Sequence, residues 1–555
     1  MTLTKLQMLM KSKPWKNRVW AGAFCITLLM GAVTTVHSQD LSQSIKRDSR
    51  PNILVIITDD QRFDSVNAYM PNTQARIFDE GVTFTSAYVT TPLCSPSRAS
   101  ILTGMYASHH GVRTNEAALK APTFVPWLQQ SGYFTGLVGK YLNSEEVTPK
   151  PGYDYWIGMP SEGKYYNPQL NINGNWVTHQ GYLTYLLRDY AINFLRKAAE
   201  HNEQPFFLFF NPKTPHLPTE VAPGDEALYP SLPPYRPASY NEPDVSDKPR
   251  WVSTRPPLDA QAQQNLDDLR RKQLQMLWSL DQSIGAILDE LKRLNQLERT
   301  AIFFISDNGY FWGEHRMTGK LLVYEPASHI AFALRYPPIT IAGTVEPRLV
   351  ANIDLAPTIL QLAELTIPHT MDGRSLIPLL QTKQPWRNDL LIEGWPLGQS
   401  YSAAHTGRYV YVEHENDWPE LYDLLKDPDQ LQNSIEDPAY SAIATDLRRR
   451  LRRLLTTAED TTVDEPLPLS FTLFQNHPNP FNRITTIRFN VNRVENVTLQ
   501  IFDLSGHLVT TLTNRRYYPG EYKLRFNATS LPNGMYIYRL QTETTMQQRK
   551  LVVFR

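Results

Sequence analysis

Four short apolar runs, each ending at once in polar residues, constrain this chain more than any other feature. "NILVIITDD" leads from Asn52 into Asp59 and Asp60, and "YFTGLVGKY" leads from Tyr133 into Lys140. "PFFLFFNPKTPH" runs from Phe206 towards His216, and "AIFFISDNG" from Ala301 into Asp307 and Asn308. Runs without apolar–polar alternation suit strands buried on both faces, the condition of a parallel sheet. Amphipathic stretches lie between them: one covers Tyr182 to Glu200, and another has Leu274, Leu277, Leu280, Ile284, Ile287, Leu288 and Leu291 at helical spacing. This alternation predicts an α/β fold with a doubly wound sheet. In such sheets ligands bind at the carboxyl ends of the strands, which is where all four clusters fall.

At 555 residues the chain exceeds one ordinary core, so several domains are expected. An α/β catalytic domain is expected over 50–380 and a small α+β subdomain over 381–455, built from "GRYVYVEH" and "ELYDLLKDP" and closed by "ATDLRRRLRRLL". The arginine run in that last segment reads as a solvated helix face. Residues 456–470 read as a linker, and the short alternating strands of 471–555 as a β-sandwich. Residues 222–257 are proline-rich and aperiodic, which fits either a lid or a surface insertion.

The 55 lysines and arginines balance 55 aspartates and glutamates, which argues against nucleic acid as a partner. Residues 1–38 read as a signal peptide: Lys5, Lys11, Lys13, Lys16 and Arg18 precede the apolar run Val19–Ala32, and small residues around Ser38 suit cleavage. That run is short against the roughly 20 residues of a membrane span. An exported chain with no stable membrane span is therefore expected, in the periplasm, at the cell surface or secreted. Removal of Cys25 with the signal leaves Cys94 unpaired, which is unusual in an oxidising compartment.

Asp59-Asp60 and Asp307-Asn308 offer hard oxygen ligands suited to calcium or magnesium rather than zinc. "CSPSRASILTG", from Cys94, reads as a turn entering a helix, with Ser95 or Ser97 as cap and Pro96 in the first turn. A helix start attracts anions, and Arg98 adds an always-charged fork. Lys140, His216 and Lys320 stand where loops can turn them inward.

The "CSPSRASILTG" segment resembles the signature of formylglycine-dependent sulfatases, within the alkaline phosphatase superfamily. "PNILVIITDDQR", "GKYLN", "TPHLP", "SDNGYFWGEHR" and "ELYDLLKDP" are similar to segments of that family, in the same order. The resemblance implies an alkaline phosphatase-like mixed, largely parallel sheet flanked by helices, and sulfuric ester hydrolysis. It implies that a maturation enzyme oxidises Cys94 to formylglycine (3-oxoalanine), the nucleophile. Asp59, Asp60, Asp307, Asn308 and modified Cys94 would hold Ca2+, with Mg2+ the lesser choice. Arg98 would hold the aldehyde hydrate, and Lys140 and Lys320 would bind sulfate oxygens. His216 would bind substrate and is the first choice for general acid, with His315 the second.

Many sulfatases carry a histidine two residues after the first active-site lysine, where this chain has Leu142. "GKYLN", "YLTYLLRDYAINFLRK" and "LQMLWSLDQSIGAILDEL" resemble instead the N-acetylglucosamine-6-sulfatases and heparan endosulfatases, implying 6-O-sulfated N-acetylglucosamine in glycosaminoglycan-type glycans as substrate. A phosphonate or phosphodiester hydrolase of the same superfamily and a non-catalytic sulfated-glycan-binding protein are the alternatives. The tail segments "FTLFQNHPNPFNRITTIRFNV" and "LPNGMYIYRL" resemble type nine secretion sorting domains, implying the secretion machinery as a partner.

Overall fold

The protein is described by a computed structural model covering residues 48–456, apart from 144–145, 201–203, 382–384 and 397–398, and residues 471–554, apart from 492–494, 518–519 and 543–544. The expected signal peptide (1–38) and all but the first residue of the expected linker lie outside the described residues. Among the described residues no helix is long and apolar enough to cross a membrane.

Ten strands form the main sheet: β1 (Asn52–Thr58), β2 (Val82–Phe84), β3 (Phe134–Gly139), β4 (Tyr155–Gly158), β5 (Gln169–Ile172), β6 (Asn175–Thr178), β7 (Phe206–Asn211), β8 (Thr300–Ser306), β9 (Phe332–Arg335) and β10 (Thr344–Glu346). Their spatial order is β10-β2-β9-β8-β1-β7-β3-β4-β5-β6. The central strands β8, β1, β7, β3 and β4 run parallel. β9 pairs antiparallel with both β8 and β2, and the β5–β6 hairpin extends the opposite edge. The parallel centre is what the apolar runs predict, and the mixed, largely parallel sheet as a whole is what the family resemblance implies.

Both faces of the central strands are covered, which is why their residues show no polar alternation. Leu54, Ile56, Leu208, Phe210, Ile302 and Phe304 enter the core on one face. Ile53, Val55, Phe207, Phe209, Phe303 and Ile305 enter the core on the other. Truncating any of these phenylalanines to alanine would cost about 3–5 kcal/mol. The first face is roofed by two helices, Leu183–Glu200 and Ala260–Arg293. The second of these begins well before the apolar spacing that marks it, because its first turns are polar; the Asp259 side chain caps it by accepting from the Ala262 N–H at 2.8 Å.

Strands Leu390–Gly394, Tyr401–His405, Tyr409–His414 and Glu420–Asp423 form a separate antiparallel sheet. Helix Ser441–Thr456 packs on its core through Leu447 and Leu451, while Arg448, Arg450 and Arg453 pair outward with Glu413, Asp446 and Asp389. A three-stranded and a four-stranded antiparallel sheet in the tail enclose Phe489, Leu499, Tyr538 and Leu551.

His110 sits beneath helix Cys94–Thr103, with Nε2 3.0 Å from Ser100 Oγ and Nδ1 accepting from the Val112 N–H at 3.1 Å. Burial pushes its imidazole down to about 3. Below about pH 6.5 the unfolded chain takes up a proton that the folded chain refuses, so stability is lost as pH falls. This one residue is expected to remove about 2 kcal/mol between pH 7 and pH 5. His110→Asn should therefore flatten the pH dependence of the thermal midpoint across that interval, and an unchanged slope would count against this account.

Candidate active site

The parallel register brings the four polar clusters to one edge of the sheet. Thr58 lies opposite Ser306, and Gly139 opposite Asn211, so Asp59, Asp307 and Lys140 leave their strands side by side. Backbone bonds carry the ladder past the strand ends: Asp307 N–H donates to Thr58 O at 3.0 Å, Lys140 N–H to Asn211 O at 2.8 Å and Asp59 N–H to Thr214 O at 3.2 Å. Gly139 has φ +122°, and a Cβ there would stand 2.0 Å from Asn211 O, so only glycine lets Lys140 begin at this point. Asp60 takes the left-handed conformation at φ 65°, backbone strain of the kind held at functional sites.

Cys94 opens helix Cys94–Thr103 and is fully buried among charges. Lys320 Nζ stands 2.7 Å from its Sγ, and the thiol reaches Asp59 Oδ1 at 3.5 Å. Lys140 Nζ donates to Asp59 Oδ2 at 2.6 Å. Lys320 also pairs with Asp60, whose Oδ2 lies 3.7 Å from His216 Nε2. Arg98 donates from Nε to Asp307 Oδ2 at 2.8 Å and stands 3.5 Å from Asp59. His216 Nδ1 faces the Leu217 carbonyl at 2.7 Å; a carbonyl only accepts, so Nδ1 carries the hydrogen and Nε2 is left facing the site.

Three carboxylates and three side-chain cations are therefore packed in a buried space. Burial and the neighbouring Asp59 charge push Asp307 up to about 6. Burial also acts to raise Asp59, but Lys140, His216 and Arg98 override it and hold that carboxyl well below the usual range. Burial pushes the Cys94 thiol up to about 12, so the unmodified side chain is neutral.

Asp59, Asp60, Cys94 and His216 each bring a ligand atom within 4.8 Å of the others. His216 thus joins the candidate metal cluster, and the Asp307 oxygens beside it also accept from Arg98 Nε and from the Asp60 N–H. Asn308 donates to Asp60 Oδ1 at 2.7 Å, while its own Oδ1 is buried without a hydrogen-bond partner among the described residues. An orphaned buried oxygen beside clustered carboxylates fits a hard divalent cation.

Some expectations change. The helix starts at Cys94 itself, so neither Ser95 nor Ser97 caps it. Ser95 instead donates its N–H to Asn115 Oδ1 at 3.0 Å, and its hydroxyl bonds both Asn143 N and Oδ1. Asn115 carries no motif that would have revealed this contact. Leu142 is buried in the apolar core, so the "GKYLN" segment meets the site through Lys140 and Asn143. His315 Nδ1 lies 2.6 Å from Glu242 Oε2, and His315 is not one of the four residues whose ligand atoms cluster.

Comparisons with known proteins identify the family. Residues 51–365 match the sulfatase family, 313–457 the C-terminal region of N-sulphoglucosamine sulphohydrolase, and 476–554 a secretion system C-terminal sorting domain. The chain is 34% identical over 405 residues to an extracellular sulfatase SULF-1 homolog of Drosophila melanogaster, covering 68% of this chain and about a third (36%) of that protein's length. It is 32% identical over 453 residues to an N-acetylglucosamine-6-sulfatase of Homo sapiens, covering 69% of this chain and 81% of that protein. A solved structure described as bound to its substrate D-glucosamine-2-N,6-O-disulfate superposes with a TM-score of 0.67 at 25% identity, over 75% of this chain and 99% of that one. With its matched region spanning the strand ends that build the site, the chain belongs to the sulfatase family.

Proposed function

We propose that the protein hydrolyses carbohydrate sulfate esters, with 6-O-sulfated N-acetylglucosamine of glycosaminoglycan-type glycans as the substrate class. The observation that carries this reading is the placement of Cys94 at a helix start, between Lys320 and Asp59 and among the charges of Arg98 and Lys140. The named activity of the human relative and the disulfated glucosamine of the structural neighbour support the substrate class.

Cys94 is read as the precursor of formylglycine, made by an oxidising maturation enzyme; hydrated, that group supplies one hydroxyl to attack sulfur and another to expel sulfate. Asp59, Asp60, Asp307 and Asn308 would hold calcium, which would balance their charge and polarise a sulfate oxygen. Arg98, fixed by Asp307, holds its guanidinium beside residue 94 and orients the oxygens there. Lys140 and Lys320 bind sulfate oxygens and offset charge that develops in transfer. His216 presents Nε2 to the site and, when protonated there, gives its proton to the leaving sugar oxygen. Leu142, inside the core, takes no part in proton transfer. The sorting-domain match supports export through the type nine secretion machinery, with the product in the periplasm, at the surface or secreted.

Peptide mass spectrometry across residues 90–104 should find an aldehyde at position 94 when the protein is coexpressed with a maturation enzyme; an intact thiol would refute the precursor role. Cys94→Ala should lower kcat/KM at least about a thousandfold without moving the thermal midpoint by more than a few degrees, and Arg98→Ala should lower kcat/KM as much while also lowering the midpoint, because Asp307 and Asp59 lose a buried partner. Chelation should lower both turnover and the thermal midpoint, and added calcium should restore both; indifference of either would remove the cation from the site. Turnover should be faster on 6-O-sulfated N-acetylglucosamine than on matched phosphodiesters, whereas the reverse ranking would favour the phosphonate and phosphodiester hydrolases.

A further inference from the structure

The proline-rich segment and His315, both left unassigned by the chemistry above, meet in one buried network around the backbone that carries Lys320. His315 Nδ1 donates to Glu242 Oε2 at 2.6 Å, and its ring packs on Tyr324 with centroids 4.6 Å apart. Tyr324 and Tyr422 both donate their hydroxyls to Glu420 Oε2 at 2.6 Å, and His414 Nε2 lies 2.7 Å from Glu420 Oε1. Lys248 closes the ring: its ammonium lies 3.8 Å from Glu242 Oε1 and 5.3 Å from the centroid of Tyr422. A small apolar cluster of Val245, Val252, Phe311, Leu322, Tyr324 and Tyr422 fills the space around it.

Lys320 falls between the two stacked residues, five positions after His315 and four before Tyr324. The backbone around it is strained: His315, Arg316 and Leu321 all take positive φ, at 50°, 61° and 95°. Such conformations persist only where the surroundings over-determine them. Here His315 N–H donates to Ser239 O, and the Arg316 guanidinium donates to the carbonyls of Glu242, Pro243 and Arg255. Leu321 N–H donates to Pro92 O at 3.0 Å, and Tyr401 OH to Leu321 O at 2.9 Å.

The geometry points to Glu242 and Glu420 as positioning residues for Lys320, acting through His315 and Tyr324, so that the proline-rich segment is a fixed strap. This rests on the reading of Lys320 as a sulfate-binding residue. Because a shift of about 1 Å in a reacting group can cost about a hundredfold, loosening the network should appear in kcat before it appears in stability.

The test uses the full-length, matured protein and a sulfate ester, with kcat, KM and thermal midpoint measured for each variant. Lys320→Ala should be inactive. Glu242→Ala and Tyr324→Phe should lower kcat about tenfold to a hundredfold with the midpoint within a few degrees of wild type. Glu242→Gln, which still offers an oxygen to His315, should recover most of the rate. Tyr324→Phe keeps the ring stack and loses only the hydroxyl that meets Glu420 and Tyr422, so it carries the test should Glu242→Ala fail to fold. Wild-type kcat in Glu242→Ala and Tyr324→Phe, alongside an inactive Lys320→Ala, would overturn the positioning role alone. Wild-type rates in Lys320→Ala would overturn the reading of the site and this inference with it.

Discussion

The parallel pairing of β1 with β8 is the contact on which the rest of the site depends. Seven residue pairs, from Asn52 opposite Thr300 to Thr58 opposite Ser306, put the two strand ends level. A slip of one residue would exchange the two core faces and separate Asp59-Asp60 from Asp307-Asn308. The same register, passed through β7 to β3, brings Lys140 and the His216 loop alongside. Burial on both faces makes that slip costly, since Val55 and Ile56 occupy opposite cores.

The chemistry of the site follows from packing charge where water is scarce. A buried ion is tolerated only with partners, because desolvation costs several kcal/mol per ion. Asp59 meets Lys140 and Arg98, Asp307 meets Arg98, and Asp60 meets Lys320. The balance is nevertheless incomplete, since the Asn308 Oδ1 is left without a hydrogen-bond partner among the described residues and Asp307 is pushed up by burial and by Asp59. That incompleteness is what a bound cation and an anionic substrate would relieve. Cys94 stands at the centre of this arrangement as a neutral thiol, surrounded by more charge than an inert core cysteine needs.

Support for the site extends well past its first contacts. Asn115 and Asn143 secure Ser95 beside Cys94, and the Glu242–His315–Tyr324–Glu420 network secures the strained backbone beside Lys320. The second network draws on the proline-rich strap, on the segment after Asn308 and on the four-stranded antiparallel sheet together. A region that reads as an aperiodic loop is therefore integral to the site, and the small sheet contributes more than a cover.

The sequence by itself determined the strands, the helices between them and the residues at the strand ends, because apolar runs and polar stops are local properties. It also carried the Cys94–Arg98 segment and the sulfatase resemblance, since those lie in contiguous residues. Tertiary structure alone decided which polar groups meet. It placed His216 rather than His315 against Asp60, turned Leu142 into the core, and supplied Asn115 to Ser95 in place of a local cap. Those outcomes depend on contacts between residues far apart in the chain, and their geometry exists only once the sheet has closed.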